Sequence, residues 1–344
     1  DTISGYENYL EKLNEISHKQ VIGMVKDDYL NHEVIADPAA EFEMTKNILK
    51  NLDSKILREE ILKLYTKQNR VVTVTGVEGE ENLNQEKAFD IIEKAENDAS
   101  LQPYVDAFVA KSLMDGADLK PGKIVSEKEA KEIGATTYIL SNGIKVHYKF
   151  ADKNKKWVTL NAKSSGGSSL YSSKDKPSIA GAANLAMMSG VASFSSTDLE
   201  KVLKGKIVNV LADIDNLSER VTGNANTKDT ETMMQLVYLR FVKPRFDQNQ
   251  YNLFKQNMQN SLKNRQNDIS SKMSDSLSFA VYGKNNPEVR IVNQQFIDDL
   301  SFDKMKSFYL DRFSDVSNFT FYIVGDIKPE VLKPLLEKYI ASIP

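Results

Sequence analysis

The sequence has 344 residues, enough for two ordinary domains, and its 41% hydrophobic and 27% charged side chains can fill cores and still coat a water-facing surface. Its 45 basic and 48 acidic residues leave a formal net charge of −3, which points away from nucleic acid as a partner. There are no cysteines, so disulfides, thiolate metal sites and cysteine nucleophiles are excluded. No apolar run approaches the roughly 20 residues of a membrane span, so membrane insertion is not expected.

The chain opens on Asp1-Thr2-Ile3 without the basic-then-apolar pattern of a secretory leader. It passes directly into a helical pattern, Tyr6, Leu10, Leu13, an opening that reads as cut from a longer polypeptide. Phe42, Ile48 and Leu49, then Ile56, Ile61 and Leu64, continue at helical spacing. The run Arg70-Val71-Val72-Thr73-Val74-Thr75-Gly76 predicts a buried strand ending in a turn. Residues 77–136 change character. Glu78, Glu80, Glu81, Glu86, Glu93 and Glu96 make the first part acidic, and Pro103, Gly116, Pro121 and Gly122 punctuate the rest. This stretch reads as an interdomain linker with one helix over 86–97, following a helical partial domain over 1–76.

Residues 137–344 read as a complete α+β domain with a mainly antiparallel sheet packed against helices. Asn142-Gly143 is a strong turn signal between strands at 138–140 and 144–150. Ile144, Val146, Tyr148 and Phe150 alternate with Lys145, His147 and Lys149, so one face is buried and His147 faces solvent. The basic run 153–156 is a solvated turn before a strand starting at Trp157. Helices over 179–189 and 197–204 follow, the second capped by Ser195 and stopped by Gly205. Strands are predicted over 207–212 and 218–223. Three helices come next, carrying Met233, Val237 and Phe241, then Phe254, Met258 and Leu262, then residues 271–282; each apolar stripe is assigned to the core. A helix over 303–313 leads to a strand over 319–324. The last helix starts near Pro329, with Pro334 able to kink it. The helix–turn–strand–Gly order of 52–76 recurs in outline over 300–325, a weak internal repeat.

Little in the chain carries chemistry by itself. The three histidines, His18, His32 and His147, share no metal-ligand spacing; His18 is read as a helix end and His32 as part of a turn. Gly166-Gly167-Ser168-Ser169 lacks the phosphate-loop pattern and reads as a tight turn. No Gly-x-Ser-x-Gly elbow occurs.

The order of elements over 137–344 resembles the insulinase/pitrilysin family of zinc peptidases. The resemblance is carried by the hairpin Leu140-Ser141-Asn142-Gly143-Ile144, the turn Ser164-Ser165-Gly166-Gly167-Ser168-Ser169-Leu170-Tyr171, the helix ending at Gly190, Phe194-Ser195-Ser196-Thr197-Asp198-Leu199, and Phe321-Tyr322-Ile323-Val324-Gly325-Asp326 before a closing helix. By the same resemblance, 52–76 matches the end of a preceding domain of that family. Active members carry an inverted H-x-x-E-H zinc motif on the helix after the Gly-Ser turn. Aligned through Gly181, Asn184 stands in place of the first His, Met187 of the Glu and Met188 of the second His. The helix corresponding to the third ligand, 248–267, contains no Asp or Glu.

The resemblance therefore implies a degenerate third domain with neither catalytic residues nor metal in this chain, and zinc in a missing catalytic domain of the parent. The chain would be the non-catalytic chamber portion of a zinc-dependent endopeptidase acting on peptides or unfolded proteins. Its partners would be peptide substrate and the catalytic domain of the same parent, or a separate active subunit. A bacterial periplasm or envelope is favoured over cytoplasm. Two alternatives stand: a structural or partner subunit from a wholly inactive relative, and a peptide-binding scaffold unrelated to peptidases.

Overall fold

Alternating apolar and polar side chains build a seven-stranded sheet in which the last strand of the chain lies among the earlier ones. The computed structural model describes residues 2–66, 68–76, 79, 83–102, 104–106, 108–109, 111–265, 268–284, 286, 289 and 291–344. In chain order the helices α1 (Thr2–Glu11), α2 (His18–Asn31), α3 (Pro38–Asn51), α4 (Ser54–Leu64) and α5 (Gln85–Glu96) come first. Strands β1 (Ile124–Ala130), β2 (Ala135–Leu140), β3 (Lys145–Phe150) and β4 (Trp157–Ser165) lead to α6 (Lys176–Ser189) and α7 (Ser196–Val202). Strands β5 (Val208–Ile214) and β6 (Ser218–Asn226) precede α8 (Thr230–Val242), α9 (Gln248–Arg265), α10 (Ile269–Tyr282), α11 (Gln294–Asp298) and α12 (Phe302–Phe313). Strand β7 (Thr320–Gly325) and α13 (Pro329–Leu335) close the chain. The chain divides into two units, one of residues 1–16 with 110–344 and one of residues 17–109.

In the larger unit the sheet order is β1-β2-β3-β7-β4-β6-β5, and every pair is antiparallel except β3 with β7. The late strand β7 thus lies between two early ones. One face is dry: Val146 and Tyr148, Val158, Leu160 and Ala162, and Phe321 and Ile323 are buried beneath the helices. α6 packs on β5, α8 on β5 and β6, and α12 on α6. Phe241 of α8 meets Phe319 edge-on at 5.0 Å, and Tyr309 stacks on Phe313 at 4.5 Å, joining helix layer to sheet through aromatic contacts. Pro334 sits inside α13, where it offers no N–H to the preceding turn, and the chain continues directly as a π-helical turn over Leu336–Ile340. α1 belongs to this unit: Glu7 pairs with Lys228 at 3.1 Å, Glu11 with Lys156 at 2.6 Å, and Lys12 lies over the Trp157 ring.

The smaller unit is helical. Ser17 and Gln20 form a capping box on α2, and Asp37, Asp53 and Asn84 cap α3, α4 and α5. Among its described residues only Ala88 is buried. Local capping therefore specifies these helices without a core of their own beneath them.

Several sequence expectations need correction. Among the described residues, 70–76 pair with no strand, and Val71 is 88% exposed; a β-branched run forms a strand only against a partner. Residues 124–130, read as linker, form the edge strand β1, whose Val-Ser-Glu-Lys-Glu sequence has the charged, exposed character of a sheet edge rather than a buried one. α10 was assigned to the core, yet Ile269, Met273, Leu277 and Val281 recur every four residues on its exposed side. The stripe of α9, Phe254, Met258 and Leu262, is only half-buried. His18 starts α2 instead of ending a helix, and His32 caps its far end with φ of 57°. The short helix α11 was not anticipated.

Candidate functional site

The turn before α6 is a backbone construction. Gly167 has φ of 60°, and a Cβ there would lie 2.3 Å from the Asp215 carbonyl oxygen, so only glycine fits. Its N–H donates to Oε2 of the buried Glu219 at 2.8 Å, while the N–H groups of Ser168 and Ser169 donate to the carbonyls of Asp215 and Asn216. The turn is a tight link between β4 and α6, as its sequence suggests. Beside it the Tyr171 hydroxyl donates to Asp311, which also receives Arg312. Burial, together with that bond, pushes the Tyr171 phenol up to about 12, and the same bond holds Asp311 below the usual carboxylate range.

α6 is enclosed on most sides. Gly181 is buried, and a Cβ there would stand 2.5 Å from Met305 of α12 and 3.1 Å from Phe254 of α9. Its missing side chain lets both helices approach. One turn further, Asn184 is exposed while Met187 and Met188 are half-buried. Spacings of three and four residues place the three along one side of the helix. Their donor set is one amide and two thioethers. A zinc site requires imidazole, thiolate or carboxylate ligands, and a hydrolytic one also requires a base for the bound water. These side chains do not fit zinc. α9, which packs on α6, brings Asn and Gln but no carboxylate. Among the described residues no group of three or more His, Asp or Glu side chains is arranged to hold a metal ion.

Sequence reasoning missed how the end of α6 is held. Arg240 of α8 is 3% exposed, and its Nη1 donates to the Gly190 carbonyl at 2.6 Å and to the Ala186 carbonyl at 3.5 Å. A cation thus meets the negative end of the helix dipole. Burial lowers the Arg240 pKa from its ordinary value. The Ser189 hydroxyl donates to the Leu185 carbonyl and accepts the Asp247 N–H. An Arg in an otherwise apolar helical run, Leu239-Arg240-Phe241, was the available signal.

The second feature is the sheet face opposite the helices. One register row crosses it: Thr137 opposite His147, His147 beside Tyr322, Tyr322 opposite Asn161, Asn161 opposite Thr222, and Thr222 opposite Leu211. His147 does lie on this face, as its alternation implies, but it is half-buried there. Its ring stacks 5.3 Å from Tyr322, and its Nδ1 shares a 2.9 Å hydrogen bond with Thr137 Oγ1. Burial first, and the neighbouring Lys145 second, lower its pKa. Tyr322, Val324 and Leu211 remain about half open, at 46%, 44% and 46%.

A family model described as the Peptidase M16 inactive domain matches residues 299–344. A probable zinc protease PqqL of Haemophilus influenzae is 23% identical over 96% of this chain and 34% of its own length. The crystal structure of the periplasmic protease PqqL from Escherichia coli superposes with a TM-score of 0.60 at 20% identity, over 99% of this chain and 38% of that one. The ferredoxin protease FusC, solved as a mutant in complex with Arabidopsis ferredoxin, gives 0.58 at 16% identity over 95% and 36%. These likenesses establish the fold, and the chain spans little more than a third of the length of the proteins it matches.

Proposed function

We propose that the chain is a non-catalytic portion of an insulinase-like zinc peptidase, a reading supported by the partial family match and by the likeness to the PqqL proteases, and that it forms part of the substrate chamber of a zinc-dependent endopeptidase and performs no hydrolysis itself. The observation that carries this reading is α6. It keeps the Gly-Gly turn, the glycine at its packing contact and its buried seat, while Asn184, Met187 and Met188 present no metal ligand and no base. The scaffold of a metal helix is retained and its chemistry is gone. Zinc and the hydrolytic base then belong to parent polypeptide beyond these residues, and the substrates are peptides or unfolded proteins. The stretch read from sequence as the end of a preceding domain, 1–76, has its residues 17–76 in the smaller unit, and the exposed run 70–76 would complete a sheet of that preceding domain. The stretch from 77 to β1 connects it to the sheet domain. The Escherichia coli relative is described as periplasmic, which supports a periplasmic setting; among the described residues no helix is long and apolar enough to cross a membrane.

The test pairs two measurements on the purified chain: zinc per chain by elemental mass spectrometry, and cleavage of quenched unfolded-protein substrates with and without chelator. Near-zero zinc and no cleavage are expected. One tightly held zinc, or chelator-sensitive cleavage, overturns the reading.

A further inference from the structure

The open sheet face carries a charge opposite to that of the chain. Lys128, Lys145, Lys149 and Lys163 lie on it by register, on the same side as the His147–Tyr322 row. All four are exposed, and none makes an ion pair among the described residues. The acid on this face, Asp213, is neutralised by Arg220 at 2.7 Å. The chain as a whole carries −3, so these cations are a local feature and not a reflection of composition. Lys145 and Lys163 flank Thr320 from the strands on either side, roughly 10 Å apart across two strand spacings. Between their row and the Lys149 row runs the stacked His147–Tyr322 pair.

We propose that this face binds acidic, extended segments of polypeptide, the lysines meeting carboxylates and the Tyr322 ring lying along the segment. This rests on the chamber reading above and adds the chemical class of segment that the chamber wall receives. Charge complementarity of this kind raises encounter rate and selects partners. A nucleic acid is the less favoured polyanion, because the chain's net charge is −3 and its pI is 5.8.

Fluorescence anisotropy of the purified chain with labelled extended peptides tests this. The peptides are rich in Asp and Glu, rich in Asn and Gln, or rich in Lys, with a short single-stranded DNA as the competing polyanion. The acidic peptide is expected to bind about tenfold more tightly than the neutral one, and to weaken about tenfold when Lys145→Glu and Lys163→Glu are combined. Lys145→Gln with Lys163→Gln should weaken it less, and the control pair Lys263→Glu with Lys306→Glu, on helices α9 and α12, should leave it unchanged. Circular dichroism checks that each variant is folded. Equal binding of neutral and acidic peptides overturns the acidic preference but leaves the chamber reading standing. Binding of no peptide removes both. Tighter binding of DNA, or an affinity that both substitution pairs leave intact, also overturns the proposal.

Discussion

Nη1 of Arg240 donates to the carbonyl of Gly190 across 2.6 Å, in a site where the arginine is 3% exposed. The bond ties α8 to the end of α6, the helix whose Asn184, Met187 and Met188 supply no metal ligand. Removing the guanidinium leaves helix-terminal carbonyls buried without a donor and opens a cavity. Arg240→Ala should therefore destabilise the chain by about 3 kcal/mol, as measured by urea denaturation. A loss within about 0.5 kcal/mol would mean that the end of α6 is held by its other contacts alone.

The two turn glycines separate backbone strain from steric exclusion. Gly143 has φ of 85° with nothing within 4 Å of a built Cβ, whereas at Gly167 the Cβ would meet the Asp215 carbonyl oxygen at 2.3 Å. Gly143→Ala should cost about 1 kcal/mol from the left-handed conformation alone. Gly167→Ala should cost at least about 2 kcal/mol more, because the carbonyl and the N–H of Ser218 both stand in the way. Comparable losses in thermal or urea unfolding would show that the turn relaxes freely.

Much of the fold was legible because its elements have a clear period. The alternation of Ile144, Val146 and Tyr148 gave β3, and the Asn142-Gly143 turn gave its partner β2. The Pro329 start gave the last helix. Legibility ends where the deciding neighbour is far away in sequence. β1 carries Glu127 and Glu129 because it is an edge, so its composition resembles linker. The run 70–76 has every local feature of a strand but pairs with no strand among the described residues. α10 shows a helical period, and periodicity alone does not say which side faces inward: its Ser271, Asp275, Ser278 and Phe279 are partly buried, while Met273 and Leu277 are exposed. For the site, the resemblance singles out Asn184, Met187 and Met188, and the structure places these three along one side of α6. The Arg240 clamp and the cationic sheet face could not be read from sequence, since both arise from register and packing between distant segments.

His147 should impose a pH dependence on stability. Burial lowers its pKa in the folded chain below the ordinary value near 6.5. Between those two values the unfolded chain binds more protons than the folded one, so stability falls as pH is lowered through that window. The contribution is present above about pH 6.5 and is fully lost below the folded value. His147→Gln, which keeps a polar group beside Thr137, should flatten the stability profile on the acid side of neutrality. An unchanged slope would assign it to other groups.

Building an H-x-x-E-H motif into α6 tests the alignment proposed for this helix. Asn184→His, Met187→Glu and Met188→His together restore H-x-x-E-H at the positions read from the resemblance, with the two imidazoles one helical turn apart. Asn184 is exposed and the methionines are half-buried, so the side of α6 that must accept the new groups is at least partly open. The variant should take up zinc that dialysis against a chelator removes, where the unsubstituted chain takes up none. It should still not cleave peptides, because α9 offers no carboxylate as a third ligand. Zinc content and peptide hydrolysis, measured on the same folded sample, read the two parts separately. A folded variant without zinc would place the lost site on another side of α6 and shift the alignment. Hydrolysis would mean that a third donor exists outside α9, and that three substitutions alone separate this domain from an active one.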